Sequence, residues 1–340
     1  FFLYLPDELI IKILRYLDLE ELCQISLVNT HFRNISLDPV LWCESMFFPK
    51  SEGDVPSPRV CHTSDVYQNY MYIFGGHTPD PDSRYINRVK TQLYRYDFDS
   101  GMWSLLHSSL PNRTEHASLV VGEKLYIVGG YAGRLGYCMD IIVYDFETNE
   151  SKIMEASGRP LKRSAHTAVE YNNQIFIFGG WDGIMTNNDF YKYNIDKKTW
   201  KKVKCKGKKP APRRSHCAYK YGNKMYVFGG FDGVSNLDSE LHAFDFIKKK
   251  WTLLKAKGNI PSPRSRSKMI AYHNKIAIIG GWNRAKHFND WYEYNIETGI
   301  WTVKGVEFPF LGGFAQHTCV VKNNRLYIFG GHDSKEKKSD

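Results

Sequence analysis

The chain has 340 residues, enough for one large domain or two ordinary ones, and a globular composition rich in tyrosine and phenylalanine. No run approaches eighteen consecutive apolar residues, which excludes a membrane-spanning helix. The net charge is +10, and the seven scattered cysteines (Cys23, Cys43, Cys61, Cys138, Cys205, Cys217, Cys319) include no CxxC pair, which argues against a disulfide framework and a zinc site and for a reducing, cytoplasmic and/or nuclear compartment.

The first fifty residues are helical in rhythm. In LPDELIIKILRYLDLEELCQISLVNTHFRNISLDPVLW (5–42), Leu5, Leu9, Ile13 and Leu17 fall four apart, and Ile10 and Leu14 fill the same face or its flank. Pro6 suits a first helical turn, and Asp7 and Glu8 favour the positive helix start. A second helix is expected over 19–28 and a third over about 30–36. Some forty residues rarely make a stable core alone, so apolar surface left over marks a partner site.

This segment resembles the F-box: the opening Leu-Pro, then Glu-Leu, Ile-Leu, the Val of SLVN and the closing Asp-Pro…Leu-Trp stand in register, with Phe32 where many F-boxes carry Trp or Phe. The resemblance implies a small three-helix F-box over 1–47 that docks on the Skp linker subunit of SCF ubiquitin ligases and, through it, on a cullin. It implies that Leu5, Pro6, Leu9, Ile10, Ile13, Leu14, Leu17, Leu22 and Val28 contact that subunit or support the contact. The other reading is that several of them only hold the helices together. The stretch FPKSEGDVPSP (48–58) then reads as a short linker stiffened by three prolines.

From residue 59 onward the sequence repeats. MYIFGG (71–76), LYIVGG (125–130), IFIFGG (175–180), MYVFGG (225–230), IAIIGG (276–281) and LYIFGG (326–331) place glycine pairs at Gly75, Gly129, Gly179, Gly229, Gly280 and Gly330, at intervals of 54, 50, 50, 51 and 50. Thirteen positions earlier stand His62, His116, His166, His216, Ser267 and His317, and sixteen earlier Arg59, Arg113, Arg163, Arg213, Arg264 and Phe314. Trp103, Trp200, Trp251 and Trp301 follow each pair by 21 to 28 positions, with Ser151 at that place in the second repeat. Each repeat holds four short β-type runs, and stacking such sheets radially buries both faces of each. The glycine pairs suit close approach or positive φ where sheets converge.

These units resemble kelch repeats. The resemblance implies a mainly β fold, a six-bladed kelch-type β-propeller over 59–340 with blades starting near 59, 113, 163, 213, 264 and 314. The last blade is incomplete in this chain, its missing strands coming from beyond Asp340 or from near 44–50.

In a four-stranded antiparallel blade, the loop entering strand one and the loop leaving strand two share a face. That face is expected to show Arg59, Arg113, Arg163, Arg213 and Arg264 with His77, Tyr131, Trp181, Phe231, Trp282 and His332 around a channel. Such a set suits an acidic or phosphorylated peptide, or else packing and loop hydrogen bonds. The first repeat has an enlarged loop, HTPDPDSRYINRVKTQ (77–92), which makes Arg84, Tyr85 and Arg88 candidates for specificity unless it is a plain insertion. Arg134, Arg284 and Lys286 lie in the equivalent loops.

The leading expectation is a substrate-recognition subunit of an SCF ubiquitin ligase, a monomer within its complex, that captures a protein and does no chemistry. The alternative is a non-degradative kelch scaffold or adaptor. No GxSxG, P-loop or GxGxxG stands in a suitable context and no residues cluster at metal spacing, so no catalytic residue, metal or cofactor is expected. The basic run KKVKCKGKKPAPRR (201–214) reads as a solvated face, and neither nucleic acid nor membrane is expected as a partner.

Overall fold

The computed structural model describes residues 51–78, 89–106, 110–234, 237–304, 313–323 and 325–333. The F-box segment, with Leu5 through Val28, lies outside the described residues, as do residues 44–50 and the loop positions Arg84, Tyr85 and Arg88. The described chain is almost wholly β, with one short 3-10 turn at Gly133–Leu135.

Each repeat becomes one antiparallel sheet in which the chain steps outward strand by strand. In the fourth, the order is Cys217–Tyr221, Lys224–Phe228, Leu241–Asp245, Lys250–Leu253. Five such sheets form a β-propeller, and a hairpin of Thr318–Lys322 with Arg325–Phe329 packs between the fifth and the first. The first strands of all these units line a central channel of about 510 Å³.

The phrase MYVF is apolar throughout because both of its faces are buried. Met225 and Val227 join the core shared with blade three; Tyr226 and Phe228 join the core shared with blade five. Trp251 anchors the first of these cores, its ring 5.2 Å from Phe178, 5.3 Å from Phe190 and 5.1 Å from Phe244.

The glycine pair marks the joint between blades. The second glycine donates its N–H to the carbonyl of the next blade's entry residue: Gly76 to Arg113 at 2.8 Å, Gly180 to Arg213 at 2.9 Å, and finally Gly331 to Arg59 at 3.0 Å. Both glycines of each pair have positive φ, and a Cβ on Gly75 would lie 2.3 Å from the Arg113 carbonyl oxygen. Close approach and positive φ are thus both required here.

Nearer the axis, six backbone bonds run head to tail. Glu115 donates to Cys61, Ala165 to Glu115, Ser215 to Ala165, Arg266 to Ser215, Gln316 to Arg266 and Cys61 to Gln316. All six residues are left-handed, with φ between 52° and 61°.

A second ring lies beside it, built of side chains. His116 Nε2 bonds Thr63 Oγ1 of the preceding blade at 2.8 Å, His216 bonds Thr167 at 2.8 Å, and His62 bonds Thr318 at 2.9 Å. Ser267 and Cys217 make the same link at 3.5 Å. The pattern breaks where the hydroxyl is missing: His166 faces the position of Ala117 and His317 that of Lys268, and neither ring has a hydrogen-bond partner.

One feature departs from the four-strand expectation. In blades one, four and five the incoming chain adds a two-residue strand parallel to the outermost one: Glu52–Gly53, Lys206–Gly207 and Lys257–Gly258. A Cβ on Gly207 would stand 2.1 Å from the Trp251 carbonyl oxygen, so only glycine fits. Residues 52–53, in the stretch read as a linker, therefore pair with the outermost strand of blade one.

Candidate protein-recognition face

The five periodic arginines do not form an exposed ring. Arg59, Arg113, Arg163, Arg213 and Arg264 are only 0–3% exposed. Arg213 shows why: Nη1 donates to the Gly229 carbonyl at 2.9 Å, Nε to the Ala211 carbonyl at 3.1 Å and Nη2 to Asp238 at 2.7 Å. Arg264 repeats this arrangement with Asp290, Arg163 bonds the Gly179 carbonyl at 3.0 Å but meets Asp189 only as an ion pair at 3.6 Å, and Arg113 pairs with Asp140 at 2.5 Å. In blade one the Arg59 guanidinium lies 4.9 Å from the centroid of the Tyr94 ring. Burying a guanidinium is costly unless most of its fork finds partners. Arg163, Arg213 and Arg264 thus tie the glycine pair to the aspartate of the loop that follows it, Arg59 reaches the Gly75 carbonyl, and Arg113, of these two partners, reaches the aspartate alone.

The aromatic positions do gather at the surface. Tyr131, Trp181, Phe231 and Trp282 each form an antiparallel bridge with the residue after the buried arginine, at Thr114, Ser164, Arg214 and Ser265, and each is half-buried. His77 occupies the same place in blade one but is buried, its Nδ1 2.9 Å from Thr114 Oγ1. Ala315 and His332 pair likewise.

Three other cations lie among these rings. Arg214 stacks over Trp181 at 4.6 Å and Phe231 at 5.4 Å, Arg284 over Phe231 at 5.4 Å, and Arg266 over Trp282 at 5.4 Å. Arg214 and Arg266 are half-buried, and Arg284 is exposed. Sequence reasoning passed over Arg214 and Arg266. The available signal was a second arginine beside the periodic one, in RRS and RSRS.

The loop tips carry exposed apolar side chains. Asp182 Oδ1 accepts from the Ile184 and Met185 amides at 2.8 Å, and Asp232 Oδ1 from the Val234 amide at 2.8 Å. These turns hold Ile184 (83% exposed), Met185 (58%) and Val234 (79%) in water, with Leu135 (74%) on blade two. Exposed apolar groups beside stacked guanidiniums are the composition of a protein-binding surface.

Burial shifts several titratable groups of the channel behind the face. Burial pushes the Cys61 and Cys319 thiols up to about 12 and Cys217 to about 11, so all three stay protonated. Burial raises Asp65 to about 6, against the pull of the Ser118 hydroxyl and the Lys268 charge. Among the described residues, no three His, Cys, Asp or Glu side chains are placed to hold a metal ion.

Comparison with known proteins agrees with this architecture. Kelch domain-containing protein 3 of Homo sapiens is 31% identical over 178 residues, 48% of this chain and 45% of that protein. The Leucine-zipper-like transcriptional regulator 1 homolog of Drosophila melanogaster is 26% identical over 309 residues, 84% of this chain and 31% of that protein. Kelch domain-containing protein 1 of Mus musculus is 24% identical over 292 residues, 82% and 64%. The chain spans less than half the length of the first of these relatives. A family model described as F-box-like matches residues 2–46, and one described as the KLHDC2/KLHL20/DRC7 Kelch-repeats domain matches residues 115–331. The chain is an F-box/kelch-repeat protein and belongs to the KLHDC2/KLHL20/DRC7 kelch-repeat family.

Proposed function

We propose that this chain is the substrate-recognition subunit of an SCF-type ubiquitin ligase. The observation that carries the reading is the joining of an F-box-like segment (2–46) to a kelch propeller in one chain. The F-box, three helices in this reading, docks on a Skp subunit through Leu5, Pro6, Leu9, Ile10, Ile13, Leu14, Leu17, Leu22 and Val28, and Skp links it to a cullin. The hairpin Thr318–Phe329 is the inner half of a sixth blade. The propeller holds a protein substrate on the aromatic face, with Trp181, Phe231 and Trp282 as anchors and Arg214, Arg266 and Arg284 facing an acidic or phosphorylated segment. The chain supplies proximity and no chemistry, in the cytoplasm or nucleus: a captured protein meets the ubiquitin-charged enzyme at high local concentration.

Co-expression with a Skp subunit and a cullin N-terminal region, followed by size exclusion, tests the reading. Co-elution that a Leu5→Ala, Pro6→Ala variant abolishes is the expected result. A folded wild-type chain that elutes alone overturns it and leaves a scaffold.

A further inference from the structure

The outer edge of blades three and four concentrates positive charge. The sequence places eight lysines between 197 and 209 and five between 248 and 257. The fold brings the two runs together. Lys192 stands directly opposite Lys201 across the last two strands of blade three. The chain then passes through Lys204 to the edge of blade four. There Lys206 stands opposite Lys250, and its amide bonds the Lys249 carbonyl at 2.8 Å. Burial lowers the Lys192 pKa, and the charges of Lys249 and Lys201 lower it further, so the blades share one field.

Like charges directly opposite across a sheet are destabilising. The propeller frame does not ask for them. The places of Lys192 and Lys201 are taken by Arg95 and Ser104 in blade one, Val143 and Lys152 in blade two, Ala243 and Thr252 in blade four, and Glu293 and Thr302 in blade five. Among the described residues, the ion pair of Lys202 with Asp189 at 2.9 Å is the one these two lysine runs make. The patch therefore keeps a repulsion that neighbouring repeats avoid, with all of its lysines but Lys192 and Lys209 exposed.

We propose that this edge docks an acidic polypeptide segment, a run of Asp and Glu, separately from the aromatic recognition face. The chemistry of the patch selects that partner. Its cations are all lysines, without the arginine fork that suits phosphate. The aromatic side chains beneath it, Trp200, Phe246 and Trp251, are buried and cannot stack on a base. Point charges on a rigid edge suit carboxylates spaced along an extended chain. The edge lies on the outermost strands, so both surfaces can be occupied together. This proposal does not depend on the ubiquitin-ligase reading.

The test uses the full chain and a fluorescent poly-glutamate peptide, with duplex DNA, single-stranded DNA and phosphatidylserine vesicles as rival polyanions. A Lys201→Glu, Lys206→Glu, Lys249→Glu variant should bind the peptide roughly tenfold more weakly or worse. Added salt should weaken wild-type binding more than the variant's. Glutamate at 206 faces Lys250, so the variant's unfolding midpoint should not drop, which separates lost docking from lost fold. Three results overturn the proposal: no binding by wild type, tighter binding to DNA or vesicles than to the peptide, or loss confined to an Arg214→Glu, Arg266→Glu variant, which would assign the peptide to the recognition face.

Discussion

The break in the histidine ring offers a stabilising substitution. His116 and His216 each reach a threonine on the preceding blade, Thr63 and Thr167, while His166 meets Ala117. The His166 ring is 5% exposed, and the nearby Val128 backbone lies outside hydrogen-bond geometry. Ala117→Thr supplies the missing hydroxyl at the first residue of a strand, where β-branching is favoured and where Thr63, Thr167 and Thr318 already stand. A net hydrogen bond contributes about 1 kcal/mol, and relieving a buried unpaired donor adds to it, so the gain should be about 1–2 kcal/mol. That corresponds to roughly 2–4 °C per kcal/mol in melting temperature for large domains. Denaturant midpoints of wild type, Ala117→Thr, His166→Leu and the double variant form a thermodynamic cycle. The gain should vanish without His166. A gain that persists in the His166→Leu background, or no gain at all, refutes the account. Thr167→Ala provides the reverse case and should cost about 1–3 kcal/mol by orphaning His216.

Arg213→Ala leaves Asp238 and the Gly229 carbonyl facing an emptied fork and should cost about 3–5 kcal/mol in denaturant unfolding, with Arg213→Lys recovering little because one ammonium cannot meet all three partners. Trp251→Ala should cost about 3–5 kcal/mol by the same measurement, since its ring fills the core against Phe178, Phe190 and Phe244. Stability should fall as pH drops below about 6.5: burial holds His116 and His166 down at about 3 and His62, His216 and His317 well below 6.5, so the unfolded chain takes up protons that the fold refuses. Asp65, raised to about 6 from 3.8, opposes this between those two values but is one group against five. Unfolding free energies measured from pH 8 to 4.5 check the slope, and a flat profile contradicts the buried neutral ring.

The propeller was legible because its joints are written on one clock. The glycine pair answers to the same backbone geometry in every blade, the histidine and the tryptophan each recur in four of the five full repeats, and MYVF is a run rather than an alternation because it has a neighbour on each face. The arginines show the limit. A residue repeated every fifty positions reads equally as a surface ring or a buried staple. The distinction rests on partners, and Asp140, Asp189, Asp238 and Asp290 follow their glycine pairs by 11, 10, 9 and 10 positions, a drift that hides them. The fifth strands were missed because two residues are too short for any period. Their signal is a lone glycine whose purpose depends on a tryptophan carbonyl some forty-three to fifty residues away. Arg214 and Arg266 stand beside better-timed arginines, and stacking on aromatic rings from other loops is a property of the closed ring, not of a segment.

The head-to-tail circle of backbone bonds at the channel mouth has an electrical consequence. Peptide dipoles aligned in a helix add along an axis and leave partial charges at its ends. Here six hydrogen-bonded amides chase one another around a closed loop from Cys61 through Glu115, Ala165, Ser215, Arg266 and Gln316, so their in-plane vectors cancel and the circle has no end. The polarity of the mouth is therefore written by side chains, at present one carboxylate, one guanidinium and four neutral groups. Because the circle is made by backbone atoms, a change of side chain there can alter the sign of the mouth and leave the six backbone bonds in place, provided the new residue tolerates the left-handed φ that the closure imposes.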